Sequence, residues 1–172
     1  MIVKIIGRTT LVAVTVWALT GAALAQEPVG CDKFKWPLDK ERAMLSAAVV
    51  PTVSSGASIA QPPVAVAVSL MPFAEAKLPV APERAPKSPT SFAGFVTLPT
   101  PSPGGVYKVS LSSEAWIDAV QDGHHVKSTA FSGATGCEGI RKSVKFDLAA
   151  APFAIQFSGV PAASIRIAVT RD

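Results

Sequence analysis

Three short segments near the C-terminal end constrain the fold more than anything else in this chain. They are "SVKFDL" (143–148), "FAIQFSG" (153–159) and "SIRIAVT" (164–170). In each, large apolar residues recur at every second position: Val144, Phe146 and Leu148; Phe153, Ile155 and Phe157; Ile165, Ile167 and Val169. A period of two is that of an extended strand, whose successive side chains leave opposite faces, so each segment buries one face only. Such strands are stable only when their apolar faces meet across a second layer.

The same pattern recurs upstream. "VAVAVSLM" (64–71) alternates Val64, Val66, Val68 and Leu70 with small residues. "FAGFVTL" (92–98) follows, and after the turn-rich "PTPSPGG" comes "VYKVSLS" (106–112), with Tyr107, Val109 and Leu111 on one face. "AWIDAVQ" (115–121) and "HHVKS" (124–128) flank Asp122-Gly123. Short alternating strands with turn signals roughly every 8 to 12 residues predict a mainly β protein, an antiparallel β-sandwich of jelly-roll-like type. No repeat of solenoid length interrupts the pattern.

Ahead of the strands, "WPLDKERAMLSAAVVP" (36–51) predicts one short N-terminal helix. Pro37 suits its first turn, Asp39 and Glu41 suit its positive N-terminal end, and Pro51 stops it. Leu38, Leu45 and Val49 are expected to share its packing face. Between residues 72 and 91 the prolines at 72, 79, 82, 86 and 89 prevent regular ladder bonding, which leaves an extended connection that wraps the surface or acts as a tether. The expected organisation is a leader (1–25), an N-terminal helical segment (26–60) and a β-sandwich domain (61–172) that includes the Pro-rich connection 72–91.

The leader expectation rests on Lys4 and Arg8, the apolar stretch from Leu11 to Leu24, and the small-x-small Ala23-Leu24-Ala25 before Gln26. That is the three-part layout of a secretory signal peptide. An uncleaved anchor is the competing reading, disfavoured by the small-residue end and the helix-hostile Gln-Glu-Pro-Val-Gly beyond it. The expected destination is the periplasm or the medium, with no stable membrane anchor after cleavage. Lys4 and Arg8 are two of the 16 basic residues against 12 acidic ones, so their loss lowers the net charge from +4 to +2. A charge so small and so scattered does not make a nucleic-acid surface.

Only Cys31 and Cys137 are present, and both lie beyond the leader. In an oxidising compartment their default is a disulfide with each other. The alternative, a pair of metal thiolates, lacks a Cys-x-x-Cys spacing or nearby histidines to complete a zinc set.

Both histidines sit in "AWIDAVQDGHHVKS" (115–128). Asp-Gly between strand-like runs is a strong hairpin signal of the type I′ class. A two-residue loop would pair Gln121 with His124, Val120 with His125, Ala119 with Val126, and Asp118 with Lys127. His124 and His125 then face opposite ways and cannot share one metal. Ile117, Ala119 and Val126 are expected to face the core. Trp116, Asp118 and His125 share the other face and are the weak candidates for binding a small polar ligand. The plainer reading is a solvated outer face on which Lys127 neutralises Asp118.

Catalytic patterns are thin. No Gly-x-Ser-x-Gly elbow occurs, and the carboxylates Glu114, Asp118, Asp122, Glu138 and Asp147 form no recognisable glycosidase pair. No catalytic residue, metal or cofactor is expected.

Four segments carry a resemblance: "CDKFKWPLDKERAML", "LPVAPERAPKSPTSFAGFV", "GGVYKVSLSSEAWIDAVQDG" and "AFSGATGCEGIRKSVKFDL". Together they resemble a family of small exported proteins of rhizobia-like alphaproteobacteria, of unsettled function, some of which carry the label homogentisate 1,2-dioxygenase. More loosely, the strand pattern is similar to bacterial pre-peptidase C-terminal domains, sandwich modules appended to secreted enzymes. The dioxygenase label implies an iron held by two histidines and a carboxylate with open positions for substrate and oxygen. Since His124 and His125 are the only histidines and are adjacent, no catalytic residue is carried over. The expected function is a non-enzymatic binding or accessory module whose partner is an unknown envelope protein or a small polar ligand. An enzyme or a small secreted inhibitor is the alternative.

Overall fold

A computed structural model describes residues 26–101 and 103–172; the leader expectation lies outside the described residues. Eleven strands build two sheets. In chain order they are β1 (Thr52–Ser54), β2 (Val64–Ser69), β3 (Met71–Pro72), β4 (Phe92–Leu98), β5 (Gly105–Leu111), β6 (Trp116–Gln121), β7 (His124–Val126), β8 (Ser128–Gly133), β9 (Lys142–Leu148), β10 (Phe153–Val160) and β11 (Ser164–Arg171). One sheet runs β1-β2-β11-β5-β9-β8 and the other β3-β4-β10-β6-β7. All pairings are antiparallel except β1 with β2. The facing quartets β2-β11-β5-β9 and β4-β10-β6-β7 have the strand order of a jelly roll, with β1, β3 and β8 added at the edges.

The alternating residues meet between the sheets as expected. Val66, Val68, Tyr107, Val109 and Leu111, and the three C-terminal triplets, are all buried in one core cluster. Ile117 and Ala119 join it, with Val126 packed against it. Ile59, from the segment after β1, enters the same core.

The β6–β7 hairpin has the expected register, Gln121 opposite His124, Val120 opposite His125 and Ala119 opposite Val126. Asp122 (φ 50°) and Gly123 (φ 75°) both occupy the left-handed region, as a type I′ turn demands. Nothing lies within 4 Å of where a Gly123 side chain would begin, so substitution there is penalised by the backbone alone. Gly123→Val is expected to cost about 1 to 2 kcal/mol in urea unfolding; no loss would mean that the turn relaxes to another type. Pairing stops at Val126. Lys127 is the single residue between β7 and β8, and it carries the chain from one sheet to the other. "HHVKS" is therefore not one strand, and Lys127 is exposed instead of lying opposite Asp118.

Both outer faces are covered. Over the six-stranded sheet lies helix α1 (Asp39–Leu45), shorter than expected. It ends at Ser46, and Val49 is exposed. Leu38 and Leu45 pack with Ala65, Ala168, Ile140 and Cys137, where the small outward alanines let the helix approach the sheet. Arg166 of β11 donates to the carbonyls of Leu45 (2.9 Å) and Ala47 (3.3 Å), satisfying C-terminal oxygens that the helix leaves unpaired. The Cys31–Cys137 disulfide closes this cap.

Beneath the helix, Glu41 is buried and takes a hydrogen bond from Thr170 and an ion pair from Lys108 at 3.0 Å. Burial pushes the Glu41 carboxyl up, but the bonds from Thr170 and Lys108 outweigh it and hold it below the usual carboxylate range. Lys145 holds the Asp172 carboxyl low in the same way. The stability that these two groups contribute is complete above the ordinary carboxylate range and is lost as the pH falls from there through their lowered folded-state values. A titration of unfolding free energy should therefore drop on the acid side, and Glu41→Gln should flatten that limb; an unchanged limb would refute the assignment. Among the described residues, no helix is long and apolar enough to cross a membrane.

Candidate functional site

The other outer face, on the five-stranded sheet, is covered by the Pro-rich connection, which lies as a strap across β10, β6 and β7. Three outward side chains tie it down. Gln156 accepts from the amide of Val80 (3.4 Å), Asp118 from that of Glu83 (3.4 Å), and His125 Nε2 bonds the Ala81 carbonyl (2.9 Å). Gln156 Nε2 in turn donates to Asp118 Oδ2 (3.0 Å), and Trp116 Nε1 donates to Asp118 Oδ1 (2.6 Å). Asp118 is only 3% exposed, and among the described residues no cation lies within ion-pair distance of it. Three N–H donors satisfy it instead, which is what a buried carboxylate requires.

The three candidate residues thus have separate roles. Trp116, Asp118 and His125 do lie on one side of the hairpin, but Asp118 and His125 serve the strap and are not open to a ligand. The expected neutralisation of Asp118 by Lys127 does not occur; the strap, not solvent, covers this face. His124 is exposed on the opposite side. Among the described residues no group of three His, Cys, Asp or Glu could hold a metal ion. With the ring of His125 bonded to Ala81 and His124 turned away, these residues do not fit a two-histidine iron site.

Trp116 alone of the three reaches a cavity. Toward β4, residues 83–88 of the strap wall a cleft of about 740 Å³, within the range of small-molecule sites. Glu83 to Ser88 form one wall, the starts of β6 and β9 another, and Phe131 of β8 a third. Arg84 lies 5.5 Å over the Trp116 ring and Lys142 5.2 Å, both within cation–π reach. Lys142 also donates to the Ala115 carbonyl at 3.1 Å. Burial pushes the Lys142 ammonium below its usual range, the nearby Arg141 and Arg84 add to this, and Glu114 and Asp118 oppose it.

The β10 strand contributes the floor. Its register against β4 slips between Phe157 and Val160, and Gly159 takes φ 70°, a β-bulge beside Pro86 of the strap. The preceding Ser158 lines the cleft with a buried hydroxyl that has no hydrogen-bond partner among the described residues. Arg84, Lys142, Ser158 and Gln156 were not among the expected site residues. Only "FSG", a glycine within a strand pattern, carried a local signal, that of a bulge. No protein family, curated protein or solved structure matches this chain.

Proposed function

We propose that residues 26–172 form a non-enzymatic binding module of the periplasm or the medium that takes a small polar ligand in the strap-walled cleft. The single observation that carries this reading is the cleft itself. It holds a half-buried tryptophan and, among the described residues, two cations without carboxylate partners and an unpartnered floor hydroxyl. Polar groups that a fold leaves uncompensated in a concave site are what a ligand satisfies. The leader pattern supports export, as does a disulfide, which is compatible with an oxidising compartment. The resemblance to small exported proteins points the same way.

A binding role is favoured over catalysis by the state of the floor hydroxyl. Ser158 Oγ has no base bonded to it, and a serine without an adjacent base is a weak nucleophile. The test is thermal denaturation of the oxidised protein against a panel of neutral sugars, amino acids, amides and carboxylates. At least one class should raise the Tm saturably, and Ala85→Trp, which fills the cleft from the exposed strap, should abolish the shift. A panel without effect, or a shift that survives Ala85→Trp, would remove the cleft from consideration.

A further inference from the structure

We propose that the ligand is a small organic carboxylate, its charged head received by Arg84 and Lys142 beside Trp116 and its apolar body lying toward Phe131 and Pro86. This rests on the binding reading above and assigns the ligand's chemistry.

Four cations line the cleft, and two of them are already engaged: Arg141 with Glu27, and Lys87 with Glu114 at 4.0 Å. Arg84 and Lys142 have no carboxylate within ion-pair distance among the described residues. Glu83 is the remaining lining acid, so the cations exceed the acids by one, four against three. A cleft with one surplus positive charge suits a singly charged head better than a dianion.

Lys142 sharpens the point. It is partly buried, and burial with two neighbouring arginines disfavours its charged form more than Glu114 and Asp118 favour it, while the groups its ammonium touches are a carbonyl and a ring. Holding it charged at neutral pH costs the empty fold stability, and an anion in the cleft removes that cost. Ser158, opposite Trp116 in the β10–β6 register, offers the same head group a buried hydroxyl that has no partner among the described residues. Phe131 is 62% exposed although it lines the cleft, and with Pro86 it offers the apolar wall that a hydrated inorganic anion would not use.

The experiment is isothermal titration calorimetry of the oxidised protein with benzoate and hexanoate, and with their neutral counterparts benzamide and hexanamide. At least one carboxylate should bind one-to-one and at least tenfold more tightly than its amide. Arg84→Gln and Lys142→Gln should each weaken the carboxylate about tenfold and leave the amide unchanged. Arg84 is exposed, so its variant keeps the comparison valid even where Lys142→Gln disturbs the fold. Amides binding as well as carboxylates, or carboxylate affinity indifferent to Arg84→Gln, would overturn the inference and leave the binding reading standing. Failure of both carboxylates, with a neutral compound of the thermal panel still binding at the cleft, would do the same. Failure of both carboxylates together with every panel compound would overturn both.

Discussion

Protein in which Cys31 and Cys137 are both replaced by serine is expected to lose roughly 4 to 5 kcal/mol of unfolding free energy, the chain-entropy value for a loop of this size. The bridge joins residues 106 apart and fastens the segment before α1 to the loop between β8 and β9. That loop carries Ile140, which packs with Leu38, Leu45 and Ala168 under the helix. Without the bridge, the cap is held by this small apolar cluster, the Glu41–Lys108–Thr170 bonds, the Arg166 contacts, and the bonds of residues 27–35 to Ser132, Thr135 and Arg141. The jelly-roll core does not depend on it, so the variant should still fold at low temperature, with α1 exchanging faster than β5 or β11. Urea unfolding at pH 7 of the two proteins makes the comparison. A difference below about 1 kcal/mol would contradict this value and mean that the bridge does not act mainly by restricting the unfolded chain.

Asp118→Ala should be nearly as damaging, at about 3 to 5 kcal/mol, because it leaves several buried donors without an acceptor. Trp116 Nε1, Gln156 Nε2 and the Glu83 amide all lose their partner at once. The consequence is not confined to stability. Glu83 and Val80 are fastened through Asp118 and Gln156, so the strap should loosen and let trypsin cut faster after Lys77, Arg84 and Lys87, whose side chains are already exposed. Lys127→Ala serves as the control. Lys127 is exposed and pairs with nothing in the hairpin register, so its removal should lie within about 0.5 kcal/mol of zero. If Lys127→Ala proves the more damaging of the two, the carboxylate of Asp118 is compensated by that lysine in solution and the strap is not docked.

These two sites mark the limits of what the sequence makes legible. The period-two rule places Val144, Phe146 and Leu148 inward, and does the same for the other strands, because local alternation is set by the strand itself. It also places Asp118 outward correctly. What it cannot show is whether an outward face is wet, since the cover comes from Glu83, 35 positions from Asp118, and from Val80, 76 positions from Gln156. Nor can alternation mark a change of sheet: "HHVKS" keeps one rhythm while the chain crosses between layers at Lys127. Strand β8 is mostly exposed and polar on both faces, so no period announces it. Glu41 reads as a helix-start acid, yet Lys108 and Thr170, which bury and pair it, come from other strands. The cleft is the extreme case, drawing Arg84, Lys142 and Ser158 from three separate parts of the chain.

Binding in the cleft depends on the strap standing in place as its wall. The most direct measurement is backbone 15N relaxation of the oxidised protein without ligand, read over residues 78–88 against the core strands. A docked strap predicts order parameters near 0.8 at Val80, Ala81 and Glu83, close to those of β10. The same spectrum should show a slowly exchanging Trp116 indole proton, and in Asp118→Ala both signs should disappear together. Order parameters below about 0.6 through that segment in the unmodified protein would contradict the account, since a freely moving tether walls no cleft.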